Sequence, residues 1–233
     1  MMIQKTLALK HQQVLYDKKW QKFLGRARIF RYVPFVQMAL GAGSMAIGNV
    51  RPTSDFDVIV GVREGRLFTA RLLLILALDI LGWRRKNLDH GTAASDTICP
   101  NHFITRKSFT LSPPYNDYWQ ELYKRLVPLF GEPQLINDFF SANQNWVGEQ
   151  LDFRDDLRHQ KTASFLKVMV ERLFQGRLGD WFENRVKRFQ IQRIETKLKP
   201  LPGYQPRFIC TDQELELHLV GTKKLENFLA DFV

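Results

Sequence analysis

The sequence predicts an α/β (α+β) chain, with a mixed β-sheet and packed helices over residues 1–112 and a mainly helical part over residues 113–233. Three observations predict it. The run Asp55–Val60, DFDVIV, alternates in polarity and is rich in β-branched residues, as strands are. An apolar helical stretch, Leu67–Trp83, follows it, and then a second β-rich run, Thr97–Ile104; strand, helix and strand in that order indicate a mixed sheet carrying helices. Beyond Ser112-Pro113-Pro114, aromatics and leucines recur at helical spacing instead: Trp119, Leu122, Tyr123 and Leu126, then Phe165, Val168, Met169 and Leu173.

Taken in order, the chain opens with a helix whose apolar side (Leu7, Leu15, Phe23, Leu24) is irregular. Pro34 breaks that pattern, and Val33–Leu40 reads as extended. Gly41, Gly43 and Ser44 end the strand and open a short helical stretch, and Pro52-Thr53-Ser54 turns the chain into DFDVIV. Gly61–Arg66 is a turn bearing Arg63 and Arg66, and a polar loop with Gly91 leads to Thr97–Ile104, which Pro100 marks as an edge or bulged strand. From Asn116 to about Lys199 helices are expected. Pro200, Pro202, Gly203 and Pro206 then make an irregular connection to a short strand, RFICT, and a final helix from about Asp212 or Thr222.

Composition narrows the classes. Hydrophobic residues are 45% and charged residues 25%, ordinary values for a soluble globular chain with a proper core. Cys99 and Cys210 form no spacing motif, which points to a reducing, cytoplasmic setting and to neither a disulfide framework nor a zinc motif. Met1–Lys10 lacks a signal-peptide run, and Leu67–Trp83 is at the short limit for a span and carries Arg71 and Asp79, so no membrane span is expected. The net charge of +10 favours contact with polyphosphate, nucleic acid or an anionic surface.

The chemistry concentrates in Gly41–Val60, GAGSMAIGNVRPTSDFDVIV. A strand ends in Gly-Ser where a helix begins, and such a helix start offers unpaired N–H groups to phosphate, with Gly43 allowing close approach and Ser44 adding a hydroxyl. Eleven residues on, Asp55 and Asp57 stand two apart on a strand and so share a face, while Phe56, Val58 and Val60 face the other way. Two carboxylates aimed at one point call for a cation, and magnesium prefers such hard oxygen ligands.

Gly43, Ser44, Gly48, Ser54, Asp55 and Asp57 together resemble the signature of the polymerase-beta-like nucleotidyltransferase superfamily. The resemblance implies a nucleotidyltransferase domain in which Asp55 and Asp57 bind Mg²⁺ (or Mn²⁺) carrying a nucleoside triphosphate such as ATP. Gly43, Ser44 and Ser54 would serve the nucleotide, with Arg63 and Arg66 able to reach it. It implies a third carboxylate beside the pair: Asp96 is the first choice and Asp89 the second. The reaction implied is transfer of a nucleoside monophosphate to an acceptor hydroxyl, tilted towards RNA by the charge; protein or small-molecule acceptors remain open. A nucleotide- or nucleic-acid-binding protein without transfer, or an antitoxin-like partner protein, is the alternative. His102 reads as a structural residue with a weak claim as base or ligand. Arg84, Arg85 and Lys86 form a basic cluster, and Arg177, Arg185, Lys187, Arg188, Arg193, Lys197 and Lys199 surround Trp181, Phe182 and Phe189, aromatics expected mainly in the core.

Overall fold

A computed structural model describes residues 2–85, 95–113, 115–149, 153, 156–197 and 207–218. Along the first half run α1 (Met2–Ala27), β1 (Val36–Gly41), α2 (Gly43–Ile47), β2 (Phe56–Val62), α3 (Leu67–Ile80) and β3 (Ile98–Ile104). There follow α4 (Asp117–Lys124), β4 (Val127–Gly131), α5 (Pro133–Val147), α6 (Phe165–Leu173), α7 (Arg177–Lys197), β5 (Arg207–Cys210) and β6 (Glu214–His218).

The strands form one mixed sheet in the order β4-β1-β2-β3-β6-β5. β2 and β3 run parallel, joined through α3, and the remaining pairs are antiparallel. Alternation along the strands sorts side chains into two cores. On one face Phe56, Val58, Val60, Phe103 and Leu215 meet α1, α3 and α7 through Trp20, Phe23, Leu74, Leu78, Val186 and Ile194. On the other, Leu40, Ile59 and Ile104 meet α4 and α5 through Trp119, Tyr123, Ile136 and Phe139. The result is helix, sheet and helix in three layers.

Several elements differ from the sequence reading for physical reasons. α3 ends at Ile80 rather than Trp83, because Gly82 takes φ +64° and reverses the chain. β3 is interior, and Pro100 sits beside a register shift against β2, so the bulged reading holds and the edge reading does not. The second half is helical in α4 to α7 yet also contributes β4, β5 and β6, so the sheet does not stop at Pro113. β4 is hidden in VPLFG, whose Pro128 argues against a strand but is tolerated on the terminal strand of a sheet. In place of a final helix from Asp212, Glu214–His218 is a strand paired with β3 and β5; Thr222 lies outside the described residues. Among the described residues no helix is long and apolar enough to cross a membrane.

Candidate cation and nucleotide site

The turn from β1 into α2 and the start of β2 are stitched together. The Ala42 amide donates to the Asp57 carbonyl at 2.9 Å, which ties the β1 end to β2. Gly43 follows with φ +61°, and a Cβ there would lie 2.0 Å from Asp57 Oδ2. The close approach that glycine permits is therefore made by the Asp57 carboxylate itself, in the space that the sequence reading assigns to a ligand. Gly48, in the left-handed conformation, closes α2, and its amide donates to the Ser44 carbonyl at 3.0 Å. Asp57 faces the α4 and α5 side while its neighbour Phe56 stacks on Phe23 with centroids 4.6 Å apart.

Asp55 and Asp57 come together as the spacing requires, and the Cys99 Sγ joins them: one ligand atom from each lies within 4.8 Å of the other two. Cys99 is the register partner of Asp57 on the parallel neighbour β3. Asn101, at the β3 register shift, donates from Nδ2 to Asp57 Oδ1 at 3.3 Å. Arg85 closes the group. Residues 83–85 run beside the start of β3, with the Ile98 amide donating to the Trp83 carbonyl at 2.7 Å and the Arg85 amide to the Ile98 carbonyl at 3.0 Å. That bridge directs the Arg85 guanidinium to Asp55 Oδ2 at 2.5 Å, both side chains being nearly covered. Burial works against the charged guanidinium, but Asp55, with Cys99 and Asp57 adding, raises the Arg85 pKa above its usual value. Tyr118 on α4 flanks the site; burial first, then the charges of Asp57 and Asp55, pushes its phenol pKa upward. Cys99, Asn101 and Tyr118 escape the sequence reading as site residues, and Arg85 enters it only as part of a basic cluster, although Cys99 and Asn101 share a period-2 pattern on the strand next to DFD.

Asp96 does not join the pair. Held at φ +64°, it is gripped by α1: Lys19 Nζ lies 3.0 Å from Oδ1, Lys22 Nζ 2.5 Å from Oδ2, and Arg26 donates to its carbonyl. Burial opposes its ionisation, but the hydrogen bonds from Lys22 and Lys19 bring its pKa below the usual carboxylate value. Ser54 belongs to the same clamp, its carbonyl accepting from Lys19 Nζ at 2.6 Å and from the Asp96 amide at 3.1 Å, while its hydroxyl accepts from the Arg51 amide. Asp89 and Lys86 lie outside the described residues.

Arg63 and Arg66 stand at the far end of β2, about 20 Å from Asp57 at the usual rise of a strand. There they dock the later helices, Arg63 to Glu171 at 2.9 Å and Arg66 to Asp180 at 2.7 Å, instead of facing a triphosphate. His102 is buried and its Nε2 lies 2.9 Å from Glu214 Oε1, with Glu216 beside them, so it is a sheet residue apart from the aspartate pair. Arg84 pairs with Asp79.

Whether a divalent cation fits can be judged from the donors. Two carboxylates converge and a guanidinium already sits against Asp55, so positive charge at this point is favourable. Among the described residues, however, the third donor is a thiol and not a carboxylate. Set against known proteins, the chain matches no family model, no curated protein and no solved structure.

Proposed function

We propose that this protein is a divalent-cation-dependent nucleotidyltransferase that moves a nucleoside monophosphate from a nucleoside triphosphate to an acceptor hydroxyl, with RNA as the favoured acceptor. One observation carries the reading: Asp55 and Asp57 converge at the start of β2, with the Asp57 carboxylate directly over Gly43 of a strand, Gly-Ser, helix turn. When bound, the cation supplies charge neutralisation at the reacting phosphate. The chain's own part is to hold the two carboxylates on one face, with Asn101 fixing Asp57 and Tyr118 walling the site.

Support for RNA comes from α7. Trp181, Arg185, Phe189 and Arg193 recur every four residues along its solvent side, with Arg185 over the Trp181 ring at 5.9 Å and Arg193 over Phe189 at 6.0 Å. Trp181 is 59% and Phe189 56% exposed, whereas Glu183, Val186, Gln190 and Ile194 form the buried stripe. The expectation that these aromatics belong to the core thus fails for Trp181 and Phe189 and holds in part for Phe182, which packs against Phe174. Exposed rings interleaved with arginines suit stacked bases and their phosphates.

A second reading is favoured by the clamp on Asp96, which leaves no third carboxylate at the pair among the described residues: a nucleotide-binding protein that does not transfer. The deciding experiment incubates the protein with each α-labelled nucleoside triphosphate, Mg²⁺ or Mn²⁺, and total cellular RNA and protein. Label entering RNA, and lost with Asp55→Asn/Asp57→Asn, supports transfer. Metal-dependent triphosphate binding without label in any pool supports the second reading.

A further inference from the structure

We propose that Asp55, Asp57 and Cys99 form a site for a thiophilic divalent cation of the zinc or cobalt type, in which Arg85 is the resident counter-charge that the metal displaces. The inference rests on reading Asp55 and Asp57 as a cation site and goes beyond it in naming the third ligand, the metal class and the competing group.

The register decides the third ligand. Parallel pairing sets Cys99 beside Asp57, and the thiol is only 5% exposed. One ligand atom of each of the three groups lies within 4.8 Å of the others. A tetrahedral ion with bonds of about 2.0–2.3 Å holds its ligand atoms about 3.5 Å apart, so closure takes a side-chain adjustment of about 1 Å. Thiolate selects borderline and soft ions, while magnesium takes oxygen. On binding, the sulfur–metal bond replaces the S–H bond and the proton leaves to solvent.

The competing charge is an ion pair at the donor set itself. The Arg85 guanidinium lies against Asp55 Oδ2 at 2.5 Å, so a positive group already occupies one edge of the donor set. A metal entering at this point must break that ion pair, which lowers the apparent affinity of the native chain.

The test uses the full-length protein, stripped with chelator under reducing conditions and titrated with Co²⁺ alone, reading the near-ultraviolet thiolate-to-cobalt band. One equivalent of Co²⁺ is expected to raise the band in the native chain and in Cys210→Ser, and not in Cys99→Ser. Arg85→Gln is expected to bind Co²⁺ about tenfold more tightly, a gain that misfolding cannot imitate. A band that persists in Cys99→Ser, the lack of any band in the native chain, or an Arg85→Gln affinity no tighter than native each overturns the proposal. Mn²⁺ titration of Cys99→Ser, followed by electron paramagnetic resonance, separates the two readings. Mn²⁺ bound there and lost with Asp57→Asn, together with no thiolate band in the native chain, overturns the thiolate site and leaves the aspartate site standing; no metal bound by any variant overturns both.

Discussion

Among single residues, Gly43 and Asp57 define each other. The φ of +61° already disfavours any side chain, by about 1–2 kcal/mol. The Cβ of an alanine would also collide with Asp57 Oδ2, so the carboxylate must rotate out of the site. Gly43→Ala is therefore expected to leave a folded protein while cutting Mn²⁺ affinity at the aspartate pair by tenfold or more, measured by calorimetric titration beside a thermal melt. Unchanged affinity would mean that Asp57 does not hold the cation from this position. Phe35 is a comparable case at the other end of the sheet. Its φ of +66° is imposed by its amide donating to Glu171 Oε1 at 2.7 Å and by Arg63 and Arg66 over its ring.

Among the elements, α6 is inverted. Its buried residues are Lys167 and Glu171, while Phe165, Leu166, Met169 and Leu173 face outward. Lys167 donates to the Val36 carbonyl and lies over the Phe130 ring at 4.7 Å, and Glu171 accepts from Phe35 and Arg63. Burial, with Arg63 adding and Glu171 opposing, lowers the Lys167 pKa from 10.5 to about 8. The folded pKa lies below the unfolded one, so protonated Lys167 costs stability below about pH 8, and that cost fades as pH rises towards 10.5. Relative to Lys167→Met, the native chain should gain up to about 3 kcal/mol between about pH 7 and pH 10. Urea unfolding of both proteins at several pH values reads this directly, and a difference that stays flat with pH would refute a buried, titrating Lys167 as its source. α7 offers a second expectation. Trp181→Ala and Phe189→Ala should each weaken binding of single-stranded RNA by about 1–3 kcal/mol, measured by fluorescence anisotropy, with little change in melting temperature because both rings are exposed.

Across the whole molecule, the sheet couples the two halves. β1 depends on β4 for one of its two partners, β3 depends on β6, and the core beneath Leu40, Ile59 and Ile104 is filled by α4 and α5. A fragment of residues 1–112 keeps β1, β2 and β3 but loses that whole layer, leaving the face that bears Asp55 and Asp57 open to water. It is expected to show no cooperative thermal transition, whereas the full chain melts cooperatively. A cooperative melt of the fragment, with dispersed amide signals in a heteronuclear NMR spectrum, would instead make residues 1–112 a self-sufficient domain.

The features legible along the chain are local in origin. The alternation of DFDVIV puts Asp55 and Asp57 on one face and Phe56, Val58 and Val60 on the other, and the glycines announce the turn before α2, because strand period and backbone freedom are properties of a few adjacent residues. Which side chains surround the pair is settled in three dimensions. Asp96 is drawn off by Lys19 and Lys22 of α1, the second of them 74 positions earlier in the chain. Cys99 is set beside Asp57 by the β2–β3 register, and Arg85 lies against Asp55 beside the backbone bridge from Arg84 to β3. Strand order places VPLFG and ELELH in the same sheet as DFDVIV. These outcomes depend on pairing and packing between distant segments, which periodicity along the chain does not encode.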